Sequence, residues 1–217
     1  MINIKVFTFN AFSENTYILS DDSLEAVIID PGCSNLAERN ELHQHITENN
    51  LKVVKLLNTH AHIDHVLGNH FVKETFGVPY YLHQLDLPIL QAAQLRASHW
   101  GFKGYVGIEP DFYLEEGQNI TFGNSTLEVY FTPGHAPGHV IFVNRVDNFC
   151  ICGDVIFKNS IGRTDFDLCN HEHLLESIKT KIFTLPDNMF LFSGHGANTT
   201  VGREKIYNPY VGQNAQN

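Results

Sequence analysis

The chain has 217 residues, 43% of them hydrophobic and 18% charged, with a formal net charge of −10, which is enough for one large domain with a sizeable core and is not a disordered composition. The negative balance argues against nucleic acid and anionic membrane surfaces as partners, since both select clustered Lys and Arg, and no stretch approaches the roughly 20 apolar residues of a membrane span. Residues 1–6 alternate like a strand and lack the marks of a secretion signal, so the expected compartment is the cytoplasm.

In chain order, period-two patterns predict strands over 4–9, 15–20 and 26–30, with Pro31-Gly32 as the stop. Helical spacing covers 36–49, with Ser34 and Asn35 as candidate caps. A strand over 52–58 is followed by a helix over 66–76 that ends at Gly77, then by a strand over 79–83. Later come strands over 127–131, 139–144 and 148–152, a helix over 174–182 and a last strand over 189–193. Strand runs alternating with helices in two similar halves predict a sheet-on-sheet core with helices outside, in a single domain over 1–217. The segment 84–116 is helical in spacing up to about Trp100 and then rich in Gly. It reads either as an ordinary connection or as a lid over a site. Cys33, Cys150, Cys152 and Cys169 read as reduced thiols, with Cys150 and Cys152 sharing one face of a strand.

The stretch THAHIDHVLGNH at 59–70 follows the predicted strand over 52–58. Extended, it would put His60, His62 and Asp64 on one face; turned tightly into a helix, it would bring His65 to them as well. Imidazole nitrogen and carboxylate oxygen suit zinc, iron or manganese. Three more apolar strands each end in a small residue and then a ligand type: Thr132-Pro133-Gly134-His135, Gly153-Asp154 and Gly194-His195. Small residues let the backbone turn sharply towards a shared centre. The seven residues His60, His62, Asp64, His65, His135, Asp154 and His195 are right for two metals with one bridging carboxylate.

This pattern resembles the metallo-β-lactamase superfamily, which has HxHxDH and then His, Asp and His in this order. Asp30-Pro31-Gly32, the run 132–139, Ser160-Ile161-Gly162-Arg163-Thr164-Asp165 and the segment 202–210 look like its glyoxalase II (hydroxyacylglutathione hydrolase) branch. The likeness covers the chain apart from 84–116, in a short form expected to lack the helical extension of that branch. It implies an α/β fold, the four-layer αβ/βα sandwich. It implies two zinc ions per chain, iron or manganese being alternatives. His60, His62 and His135 would hold one metal, Asp64, His65 and His195 the other, and Asp154 would bridge them, with Asp30 holding a ligand histidine from behind. The implied reaction is hydrolysis of a small acyl thioester, such as S-acyl glutathione, by a hydroxide bridging the metals, Asp64 and Asp154 being the carboxylates of that site. Arg163 stands where the branch has a lysine for the glutathione carboxylate, while Asp165 and Ala197 stand where tyrosines are expected.

A second enzyme class resembles the same pattern: persulfide dioxygenases, with a single iron on two histidines and an aspartate, here His60, His135 and Asp154. A third reading is a metal-stabilised binding module without catalysis. The remaining histidines, among them His43, His45, His70, His83, His171 and His173, read as packed or exposed side chains, and His139 as a support behind the ligands at most. His99 and Trp100 read as pocket lining or as a plain hydrophobic anchor.

Overall fold

The computed structural model describes residues 1–213 and 215. One six-stranded sheet holds β1 (Asn3–Phe9), β2 (Glu14–Ser20), β3 (Glu25–Ile29), β4 (Lys52–Leu57), β5 (Tyr80–His83) and β6 (Phe112–Leu114), in that spatial order. The second begins with β7 (Asn119–Phe122), β8 (Ser125–Phe131), β9 (Val140–Asn144) and β10 (Phe149–Gly153). A two-stranded hairpin of β11 (Ile156–Phe157) and β12 (Ser160–Ile161) follows, and β13 (Phe190–Ser193) and β14 (Thr199–Thr200) then complete the second sheet beyond β10.

Both sheets begin as antiparallel ribbons and then take parallel neighbours, β3 with β4 and β10 with β13. Parallel pairs need long crossovers, and helices supply them. α1 (Leu36–Glu48) leads from β3 to β4. α2 (Ile63–Val66) and α3 (Asn69–Phe76) lead to β5, α4 (Leu87–Arg96) leads towards β6, and α5 (His171–Ser177) returns to β13. α6 (Val201–Tyr207) closes the second sheet, capped by Thr200. The side chain of Asn35 caps α1, as its position predicts.

The buried apolar side chains fall into three layers. Tyr17, Leu19, Val27 and Leu57 of the first sheet meet Leu127, Val129, Phe142 and Ile151 of the second. Ile18, Ile28 and Leu56 face Leu42, Ile46, Val72, Leu90 and Ala93 of the helices. Val143, Cys150, Cys152 and Leu191 face Leu174, Ile178 and Val201. This is the four-layer αβ/βα sandwich. Among the described residues no helix is long and apolar enough to cross a membrane.

Several elements depart from expectation for local reasons. The helix expected over 66–76 is two helices, broken at Gly68, whose N–H donates to the Pro31 carbonyl at 2.6 Å. A β-carbon there would overlap Cys33 Sγ, so close docking decides the break. The helix expected over 174–182 starts earlier, at His171, because the Asn170 side chain caps it, and ends in a wide turn closed by Phe183 N–H on the Ile178 carbonyl. In 84–116, Ile89, Leu90, Ala93 and Ala97 are buried against the first sheet, so its helix is part of the core.

Candidate metal centre

Strands β3, β4, β8, β10 and β13 all point their carboxyl ends at one place, where the two sheets meet. Past β4 the chain runs through Asn58, Thr59 and His60, and α2 carries Asp64 and His65 on its first turn. Past β8 comes His135, past β10 Asp154, and past β13 His195. From β2, Asn15 N–H donates to the Gly194 carbonyl at 2.7 Å, and the Tyr17 hydroxyl donates to the Ser193 carbonyl at 2.6 Å, so β2 joins the sheets at this end.

The structure brings the seven sequence-predicted side chains together. One ligand-type atom from each of His60, His62 and His135 falls within 4.8 Å of the others, and the same is true of Asp64, His65 and His195. His62 Nδ1 is 2.9 Å from His135 Nε2, and Asp64 Oδ2 is 3.1 Å from His195 Nε2. Asp154 lies between the triads: Oδ2 is 3.5 Å from both His135 Nε2 and His195 Nε2, and Oδ1 is 3.6 Å from His65 Nε2.

Behind them, hydrogen bonds set the ring orientations. His135 Nδ1 donates to the Arg163 carbonyl at 2.8 Å and His195 Nδ1 to the Phe12 carbonyl at 3.0 Å. The Asp30 carboxylate, at a left-handed φ of 50°, accepts from His65 Nδ1 at 3.1 Å, Thr59 N–H at 2.7 Å and the Thr59 hydroxyl at 2.6 Å. The Thr59 hydroxyl spends its proton on Asp30, so it accepts from His60 Nδ1 at 3.0 Å. Four rings thus anchor Nδ1 and turn Nε2 to the centre, an arrangement that orients metal-binding histidines; His62 turns Nδ1 inward instead.

Electrostatics favour a divalent cation here. Burial holds His60 well below the ordinary imidazole value and brings His62 down to about 3, which leaves their lone pairs free. Burial opposes charge on His65, yet Asp64 and Asp154 raise it well above the usual range. His60 Nε2, His65 Nε2 and Asp154 Oδ1 are buried without a hydrogen-bond partner among the described residues. Such orphaned donors and acceptors are costly, and His65 Nε2, 3.7 Å from Asp64 Oδ2 and 3.6 Å from Asp154 Oδ1, sits where a bound cation fits.

Three supports stand behind the ligands: His139, which the sequence allowed in that role at most, and Glu14 and Asp86, which it did not single out. His139 is fully buried; its Nε2 accepts the Asp154 N–H at 3.1 Å and its ring stacks on His60 at 4.8 Å. The repeated PGH of 133–139 was the available signal. Glu14 is buried with its Oε1 3.9 Å from His65 Nδ1, and burial raises its pKa well above normal. Asp86 contacts two ligand loops. Arg163 is exposed, paired bidentately with Asp165 at 2.9 and 2.7 Å, with its guanidinium 4.3 Å from the Phe166 ring; that ring lies 5.5 Å from His62. Of the other histidines, His45 packs on Phe7, His43 on Phe76 and His83 on Phe131, while His171 is exposed with its Nδ1 3.1 Å from the Thr164 hydroxyl. Cys150 and Cys152 share the buried outer face of β10.

Residues 10–195 match the metallo-β-lactamase superfamily, and the chain belongs to it, a superfamily of metal-dependent hydrolases. Among curated proteins it is 35% identical over 212 residues to the hydroxyacylglutathione hydrolase GloC of Haemophilus influenzae, covering 97% of this chain and 98% of that one. It is 34% identical to a mitochondrial persulfide dioxygenase of Bos taurus, covering 89% of this chain and 70% of that protein. Among solved structures, the BLEG-1 B3 metallo-β-lactamase superposes with a TM-score of 0.85 at 34% identity, covering 96% of this chain and 99% of that one. TTHA1623 in a di-iron-bound form superposes with a TM-score of 0.82 at 34% identity, covering 95% and 99%.

Proposed function

We propose that the protein is a cytoplasmic, binuclear hydrolase of small acyl thioesters, S-acyl glutathione or a close relative, with zinc as its metal. The observation that carries this reading is the Asp154 carboxylate between two ligand triads. His60, His62 and His135 would hold one cation, Asp64, His65 and His195 the other, and Asp154 both. When bound, such a pair supplies a water that ionises near neutral pH and an electrophile for the carbonyl oxygen.

The chain's own residues fix the lone pairs and restrict access to one side. His60 and His65 are fully buried, whereas the His195 and Asp64 side chains are 24% and 14% exposed. The five histidines and two carboxylates of the cluster would be taken up by the cations, and Glu14, whose pKa burial raises, is fully buried behind His65, so the reading calls for a leaving group that departs without a proton donor. A thiolate leaves without one, which is why a thioester suits the site better than an amide. The kinship to a hydroxyacylglutathione hydrolase supports the same choice.

The test is metal quantitation on native protein together with a thioester panel. Two equivalents of zinc and thioester turnover are expected. The second reading, a single-iron persulfide dioxygenase using His60, His135 and Asp154, is favoured by the dioxygenase kinship. One iron per chain, oxygen uptake with persulfide and no thioester turnover would replace the first reading with it.

Arg163 is assigned to a carboxylate of the substrate. Its bond to Asp165 lies on the solvent-exposed surface, and such pairs contribute little, so a substrate carboxylate can displace Asp165 and bind bidentately. Arg163→Ala should raise KM roughly tenfold for carboxylate-bearing thioesters with kcat nearly unchanged, and leave neutral thioesters unaffected. A lower melting temperature with equal losses on both substrate kinds would make the arginine structural.

A further inference from the structure

Asp86 is fully buried at the N-terminal boundary of α4, yet its side chain makes no capping bond to that helix. Its Oδ2 instead accepts the Ala61 N–H at 2.8 Å, and its Oδ1 accepts the Gly138 N–H at 2.5 Å. Ala61 stands between His60 and His62, and Gly138 three residues past His135. One carboxylate on a third element therefore ties together the two loops that carry all three histidines of one triad. No hydrogen bond or ion pair joins it to Asp64, His65 or His195.

The residue type matters. Two N–H donors need two acceptor oxygens, which an ionised carboxylate offers and an amide does not. Burial pushes the Asp86 pKa up to about 7, against the pull of the two N–H donors. The loops also press on it closely: a β-carbon on Gly138 would come within 2.7 Å of both Asp86 N and Oδ1. A buried acid with no cationic partner is costly, and here its contacts go to the backbone of the ligand loops.

We propose that Asp86 is the positioning residue of the His60/His62/His135 triad, holding the two loops at the separation at which the three rings converge on one cation. This rests on the metal-binding reading above but not on there being two cations.

The test measures zinc affinity of the full chain by chelator competition, in two backgrounds. In His195→Ala, which leaves the His60/His62/His135 triad intact, adding Asp86→Asn should weaken the remaining zinc by roughly ten- to hundredfold. In His62→Ala, where that triad is already broken, the same change should have little effect on zinc held by Asp64, His65 and His195. Should Asp86→Asn fail to fold by circular dichroism of the metal-free chain, Gly138→Ala serves in its place, because it drives one loop off an intact carboxylate. Equal weakening in both backgrounds, or none in either, would overturn the proposal. Wild-type protein taking up a single equivalent would count against the binuclear reading alone, and the His195→Ala pair would still decide whether Asp86 governs that site.

Discussion

Asp154→Ala is expected to fold and to fail as an enzyme, with metal content falling from two equivalents to one or fewer and kcat/KM dropping by roughly three orders of magnitude. The side chain reaches both triads: Oδ2 is 3.5 Å from both His135 Nε2 and His195 Nε2, and Oδ1 faces His65. Its placement is strict. Gly153 precedes it at a left-handed φ of 49°, and a β-carbon there would come within 2.8 Å of Thr59 and His139. The Asp154 N–H is then fixed on His139 Nε2. β10 itself is held by β9 and β13, so the fold does not depend on the carboxylate. Inductively coupled plasma analysis and a thioester assay check both halves, and a variant that keeps two metals and near-normal turnover would sink the bridging role.

Gly194→Ala is expected to produce nearly the same loss without touching any ligand. A β-carbon at 194 would overlap Asp154 Oδ1 and come within 2.7 Å of His65 Cε1. The backbone cannot back away, because Gly194 N–H donates to the Gly153 carbonyl and its own carbonyl accepts from Asn15 N–H, both at 2.7 Å. The methyl group must therefore displace the carboxylate. Gly196→Ala is the control. That residue has a left-handed φ of 73° but open space around its β-carbon position, so it should cost about 1–2 kcal/mol of stability and keep its metal. Thermal melts and metal analysis on the two variants separate strain from obstruction; equal metal content in both would remove the steric argument.

The ligand set was legible in the sequence because each member announces itself locally: a spaced HxHxDH after one strand, and a small residue then His or Asp after three others. Alternating strands and helices pointed to a sheet-on-sheet core covered by helices, and the family resemblance implied the four-layer sandwich. What stayed hidden depends on partners far along the chain. Asp86 reads as an unremarked acid until Gly138, 52 residues on, closes against it. His139 could be read as a support at most, and its partner, the Asp154 N–H, appears only in the fold. The strands β6 and β7 escaped because they are three and four residues long, and Phe112 and Tyr113 of β6 are half-exposed. α6 escaped because Gly202 falls in its first turn, where propensity is poor; the Thr200 cap and packing of Val201 override it.

The junction made by β2 has a thermodynamic meaning. Asn15 and Tyr17 fasten the first sheet to residues 193–196 of the second with four hydrogen bonds, at the same end where His60 and His65 approach His135, Asp154 and His195. Cations held there would be reversible cross-links between the two halves of the molecule, with a strength set by free metal concentration as RT ln(1 + [L]/Kd). Chelation would then act as a mild denaturant aimed at one seam, and amide exchange would quicken first along β2 and β13 while the outer helices kept their protection.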